Sequence, residues 1–146
     1  MKTTRLNIAI KTIFPGMVAA MLVFALGSCS NKVAFETSPV VPAARGSVKV
    51  KKDGNHNYTI QIKLDNLAEV KRLEPPAHTY VVWMVTDQGI TKNIGQINSS
   101  SSFLSKRLKA TFETVSNVKP VKIFITAEMD GNIQSPGTEV LTTGNF

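Results

Sequence analysis

Residues 47–64, Ser47-Val-Lys-Val-Lys-Lys-Asp-Gly-Asn-His-Asn-Tyr-Thr-Ile-Gln-Ile-Lys-Leu64, decide the fold class. Val48 and Val50 alternate with Ser47, Lys49 and Lys51. After the turn signal Asp53-Gly54-Asn55 the alternation resumes, with Tyr58, Ile60, Ile62 and Leu64 on one parity and Thr59, Gln61 and Lys63 on the other. Successive side chains of a strand point to opposite faces, so a period of two predicts half-buried strands. Two such runs around an Asp-Gly turn predict a hairpin. Its apolar side is the core side, and Lys49, Lys51 and Lys63 share the other.

The pattern continues toward the C-terminus. His78–Val85 is apolar on both parities, as expected of a central strand covered on both sides. Trp83 within it is predicted to be core, between the sheets or beneath the 65–77 loop. That loop carries Leu67, Val70 and Leu73 at helical spacing, but Pro75-Pro76 limits any helix to one turn. Asp87-Gln88-Gly89 turns the chain into a strand over 90–97. A strand within 103–115 places Leu108, Ala110 and Phe112 inward, and Val121, Ile123, Ile125 and Ala127 alternate in another. Further turn signals at Asp130-Gly131 and Pro136-Gly137 precede a closing strand over 139–143. About seven short strands separated by turns predict an all-β fold, a small antiparallel β-sandwich over residues 47–146.

Upstream, residues 30–46 contain two prolines and small residues and read as a tether, with an edge strand allowed around Val33–Val41. Residues 1–28 have a different character. A basic start, Met1–Lys11, leads into the apolar stretch Thr12–Leu26, too short to span a bilayer as a helix. Leu26-Gly27-Ser28-Cys29 follows, and it resembles the lipobox of bacterial lipoproteins: an aliphatic residue, two small residues, then cysteine. The resemblance implies cleavage of a 1–28 signal peptide and acylation of Cys29, with palmitate-type chains holding the protein on a membrane. Two or more chains suffice for stable anchoring, so the domain needs no hydrophobic face for that purpose. Family sorting rules place lipoproteins lacking Asp after the cysteine in the outer membrane of a Gram-negative envelope, and here Ser30 follows.

Cys29 is the sole cysteine, so once acylated it leaves the domain without a disulfide, a thiol nucleophile or a thiolate ligand. The formal charge of +7 also shrinks. Lys2, Arg5 and Lys11 lie in the signal peptide, and the remaining 14 basic against 10 acidic residues leave about +4, an ordinary solubilising charge. No nucleic-acid partner is expected from it.

The back half, residues 78–144, resembles the C-terminal extracytoplasmic domain of anti-sigma-K-type factors. Tyr80-Val81-Val82-Trp83-Met84-Val85 is similar to that family's tyrosine–x–leucine–tryptophan strand. Ile125-Thr126-Ala127-Glu128 ahead of Ser135-Pro136-Gly137 and Val140-Leu141 is similar to its closing strands. In that family a cytoplasmic zinc-binding domain and a transmembrane helix come first, and this sequence shows neither. The resemblance therefore implies the β-sandwich fold without sigma-factor binding.

The residues of catalysis are sparse. His56 and His78 are the only histidines, at unrelated positions, whereas zinc or copper sites need three or four converging ligands. No G-x-S-x-G elbow or Gly-rich phosphate loop is present. Glu128 and Asp130 flank a turn and read as a solvated strand end. No cofactor is expected, and the favoured reading is a non-enzymatic module of the cell envelope, either binding an envelope protein or polysaccharide or purely structural. The alternative is a small metal-dependent or hydrolytic enzyme using His56 or His78. Lys49, Lys51 and Lys63, with a second cluster at Lys106, Arg107 and Lys109, form either a solvated face or a patch for anionic lipids or glycans.

Overall fold

The computed structural model of the chain describes residues 30–97 and 108–146. Cys29, Lys106 and Arg107 lie outside the described residues. Those described form β1 (Ser30–Ala34), β2 (Arg45–Lys52), β3 (Tyr58–Asp65), β4 (Thr79–Thr86), β5 (Thr91–Ile97), β6 (Ala110–Ser116), β7 (Pro120–Glu128) and β8 (Glu139–Thr142). Two antiparallel sheets result, ordered β1-β2-β3-β6 and β5-β4-β7-β8. This is the all-β sandwich that the alternation predicts, with β1 as an additional strand.

The hairpin forms in the expected register, with Val48 opposite Ile62 and Val50 opposite Ile60. All four are buried. The turn is longer than a two-residue Asp-Gly turn. The Asp53 carboxylate accepts the backbone amides of Asn55 and Asn57, each at 2.8 Å. These bonds, that of Asn57 foremost, hold its carboxyl below the usual range. His56, at φ 65°, takes the left-handed position rather than Gly54.

Residues 30–46 are not a tether. Ser30–Ala34 pairs with β2 from Ser30 opposite Lys51 to Ala34 opposite Ser47. The chain then crosses to the other sheet, where the Glu36 amide donates to Thr142 O at 2.8 Å and Phe35 bridges Thr143. Buried Ser38 donates its hydroxyl to Val140 O and accepts the amides of Val40 and Val41 at 3.1 and 2.9 Å. Val41 and Ala44 are buried as well. Pro39 and Pro42 remove ladder donors, which rules out a continuous strand there but not a packed one.

From β3 the chain crosses between sheets through residues 66–78. Leu67, Val70, Leu73 and Ala77 close that end of the core, around a single 3₁₀ turn at Val70–Arg72. The Tyr80 hydroxyl donates to Ala68 O at 3.0 Å and ties the crossing down. Burial pushes the Tyr80 phenol up to about 12.

Strand β4 is buried on both faces, but its two faces belong to different clusters. Tyr80, Val82 and Met84 join the core between the sheets. Val81 and Trp83 pack on the outer face with Phe124, half-covered Val85 and Ile133 of the 129–138 loop. The expectation for Trp83 is therefore corrected in its location. It is fully buried, but outside the sandwich, beneath the 129–138 loop rather than between the sheets or under the 65–77 loop.

The β4–β5 register shifts between Val82 and Trp83, and Gly95 at φ +139° absorbs it. A Cβ there would stand 2.7 Å from the Phe112 ring, so glycine is required twice over. The sandwich has unlike ends. The start of β1 lies with the short turns 53–57, 87–90 and 117–119 at one end, and the longer segments 35–44, 66–78 and 129–138 lie at the other.

Candidate functional site

The outer face of the first sheet follows from register alone. Lys49 lies opposite Gln61 on β3 and opposite Lys32 on β1. Lys51 lies opposite Ser30 and Thr59, and Lys63 opposite Ser47. Lys49, Lys51 and Lys63 therefore share one face as their spacing predicts, and β1 adds Lys32. Directly opposed residues have Cβ atoms about 4.5–5.5 Å apart and diagonal ones about 7–8 Å, so the four lysines form one contiguous cluster. All four are exposed. Ser30, Ser47 and Gln61 separate Lys32, Lys49 and Lys63 along an open depression of about 340 Å³, and Lys51 stands beside it.

The cluster has little compensation. Among the described residues the ion pairs are Arg72–Glu69 at 3.2 Å and Lys122–Glu139 at 3.5 Å, neither on this face. Glu113, opposite Gln61, accepts that amide at 2.9 Å. Asp65 lies opposite Arg45. Like charges set directly opposite one another, as Lys32 and Lys49 are, disfavour the strand pair. An anion laid over the face reverses that sign.

Lys32 is the residue that sequence reading missed. It stands in the segment that reads as a tether, and the only signal is a short alternation of Asn31 and Val33 with Ser30 and Lys32. Of the second basic cluster, Lys109 is exposed just ahead of β6.

The other candidates are not brought together. His56 sits in the β2–β3 turn at one end and His78 ahead of β4 at the other, both exposed. The Glu128 carboxylate accepts the Gly137 amide at 2.8 Å and that of Asp130 accepts the Asn132 amide at 2.9 Å, so each is engaged in closing its turn. Among the described residues no three His, Cys, Asp or Glu side chains gather into a metal-holding group.

A second, polar depression of about 560 Å³ lies between β5 and the 129–138 loop, lined by Asn93, Gln96 and Asn132 among others. Asn93 is occupied there: its amide nitrogen donates to Gly131 O and Ile133 O at 2.9 and 3.1 Å, and its oxygen accepts the Gly95 amide at 3.0 Å. These bonds fasten the loop over Trp83, which is a structural task.

The molecule is thus a small two-sheet β-sandwich with one basic face. No family model, curated protein or solved structure matches the chain. Among the described residues no helix is long and apolar enough to cross a membrane.

Proposed function

We propose that this chain is a lipid-anchored, non-enzymatic binding module of the bacterial cell envelope. Acyl chains on Cys29 hold it on the membrane, in the outer membrane of a Gram-negative cell by the sorting rule at Ser30, and the first sheet presents its lysine face to an anionic ligand. The observation that carries the reading is the set Lys32, Lys49, Lys51 and Lys63, adjacent on one sheet face and free of ion pairs among the described residues. Amines interleaved with hydroxyls and an amide suit phosphate, carboxylate or sulfate groups. The lipobox resemblance supports the anchor.

The test has two arms. Full-length chain expressed with a labelled fatty acid should incorporate the label, and Cys29→Ser should abolish it and leave an uncleaved precursor. A mature-sized Cys29→Ser protein that stays in the membrane fraction would refute the anchor. The detergent-solubilised chain should be retained on a polyanion resin and elute at lower salt when all four lysines become glutamine. Identical elution would remove the face from the reading.

A further inference from the structure

The position of β1 identifies the source of the anion, given the lipid-anchored reading above. Ser30 is already paired with Lys51 in the first sheet, and Cys29 directly precedes it. No slack separates the acylated residue from the folded domain. Three residues of chain reach at most about 10–11 Å, so the Lys32 backbone lies no further than that from Cys29. Lys51, across from Ser30, is about as near, Lys49 lies beside Lys32, and Lys63 lies about one strand spacing and one diagonal further on. Lys32 and Lys51 thus lie within about one Debye length of the anchor, about 8–10 Å near physiological salt, while Lys63, about twice as far, meets headgroup charge only when the face itself lies against the bilayer.

Any other anion must compete with a surface that the anchor holds permanently at that range. A tethered partner has an effective concentration far above that of a free one. Among the described residues, the strand charges on this face are Lys32, Lys49, Lys51, Lys63 and Arg45 against Asp65 and Glu113, with Asp53 at the adjoining turn. Arg45 lies opposite Asp65 and Glu113 offsets one lysine, so five cations against two carboxylates leave a net excess of about +3 on the face.

We infer that the outer face of the first sheet lies against the anionic phospholipid headgroups of the same bilayer that holds Cys29. The longer segments 35–44, 66–78 and 129–138 then stand at the end of the sandwich away from the anchor. Each lysine near an anionic surface contributes about fivefold to its occupancy, so four contribute several hundredfold.

The lipidated full-length chain, its acyl mass on Cys29 verified, can be reconstituted into vesicles of phosphatidylcholine alone or with phosphatidylglycerol. Lysine acetylation is then followed by mass spectrometry. With phosphatidylglycerol, Lys32, Lys49, Lys51 and Lys63 should be labelled several-fold more slowly than exposed Lys71 in the far crossing. The protection should vanish near 1 M salt, where the Debye length falls to about 3 Å. In the variant Lys32→Gln/Lys63→Gln, protection of Lys49 and Lys51 should fall to near the level seen with phosphatidylcholine alone. Equal labelling in both vesicle types, on acylated protein, overturns the docking and leaves the anchor intact. A chain without acyl mass on Cys29 overturns the anchored reading and this inference together. Protection of the same lysines by added anionic polysaccharide, with none from phosphatidylglycerol, overturns the lipid as occupant and keeps the binding face.

Discussion

Trp83 offers the strictest test of the packing. Its side chain is fully buried on the outer face of the second sheet, with the ring stacked on Phe124 at 6.2 Å and 11°. Its Nε1 donates to the equally buried Thr126 Oγ1 at 2.8 Å. Removing the indole exposes or empties about 150–250 Å² of apolar contact. At about 25 cal/mol/Å² that is about 4–6 kcal/mol, close to the roughly 3–5 kcal/mol typical of Trp→Ala. A small domain has about 5–15 kcal/mol in total, so Trp83→Ala should be marginal.

The hydrogen bond can be isolated more finely. Trp83→Phe keeps an aromatic ring and strands the Thr126 hydroxyl, while Thr126→Val strands the indole N–H. Each should cost about 1–3 kcal/mol. Together they leave an apolar pair, so the double variant should cost about 1–2 kcal/mol less than the sum. Urea denaturation followed by far-ultraviolet circular dichroism suits the cycle, because Trp83 is the only tryptophan and its fluorescence is lost with it. Additivity to within about 0.5 kcal/mol would show that the bond contributes nothing, and a negligible effect of Trp83→Ala would refute the burial itself.

Two further expectations bear on stability. Ser38→Ala removes the donor to Val140 O and the acceptor of two amides, so it should lower stability by about 1–3 kcal/mol in denaturant titration, a cost that a mere tether would not show. The Tyr80 phenol is held at about 12 in the folded chain against about 10 unfolded. The folded state therefore retains a proton that the unfolded state releases, and stability present below pH 10 should fall between pH 10 and 12 by on the order of 2 kcal/mol. Tyr80→Phe should flatten that part of the profile.

Much of the fold was legible because period-two alternation is local. The inward set Val48, Val50, Ile60, Ile62 and Leu64 is buried as its parity requires, and β4, apolar on both parities, is covered on both faces. Leu67, Val70 and Leu73 cap the core around one short turn, as Pro75-Pro76 dictates. Lys49, Lys51 and Lys63 fall on one face for the same reason that their apolar neighbours fall on the other.

What escaped the sequence depends on partners distant in the chain. Ser30–Ala34 has too weak an alternation to announce a strand, and it becomes one because β2 offers a free edge. Residues 35–44 pack because β8, about a hundred residues later, supplies the carbonyls of Val140 and Thr142. Parity placed Trp83 opposite Val82, but only the pairing of β4 with β7 and the return of Ile133 decided which side held the core and which the smaller cluster. The sequence by itself determined β2 to β8 and most of their inward residues, since each is written within a few consecutive residues. Tertiary structure alone decided that Ser30–Ala34 joins the first sheet and that Lys32 joins the basic face, because strand pairing is settled by edges and buried area that no local pattern contains.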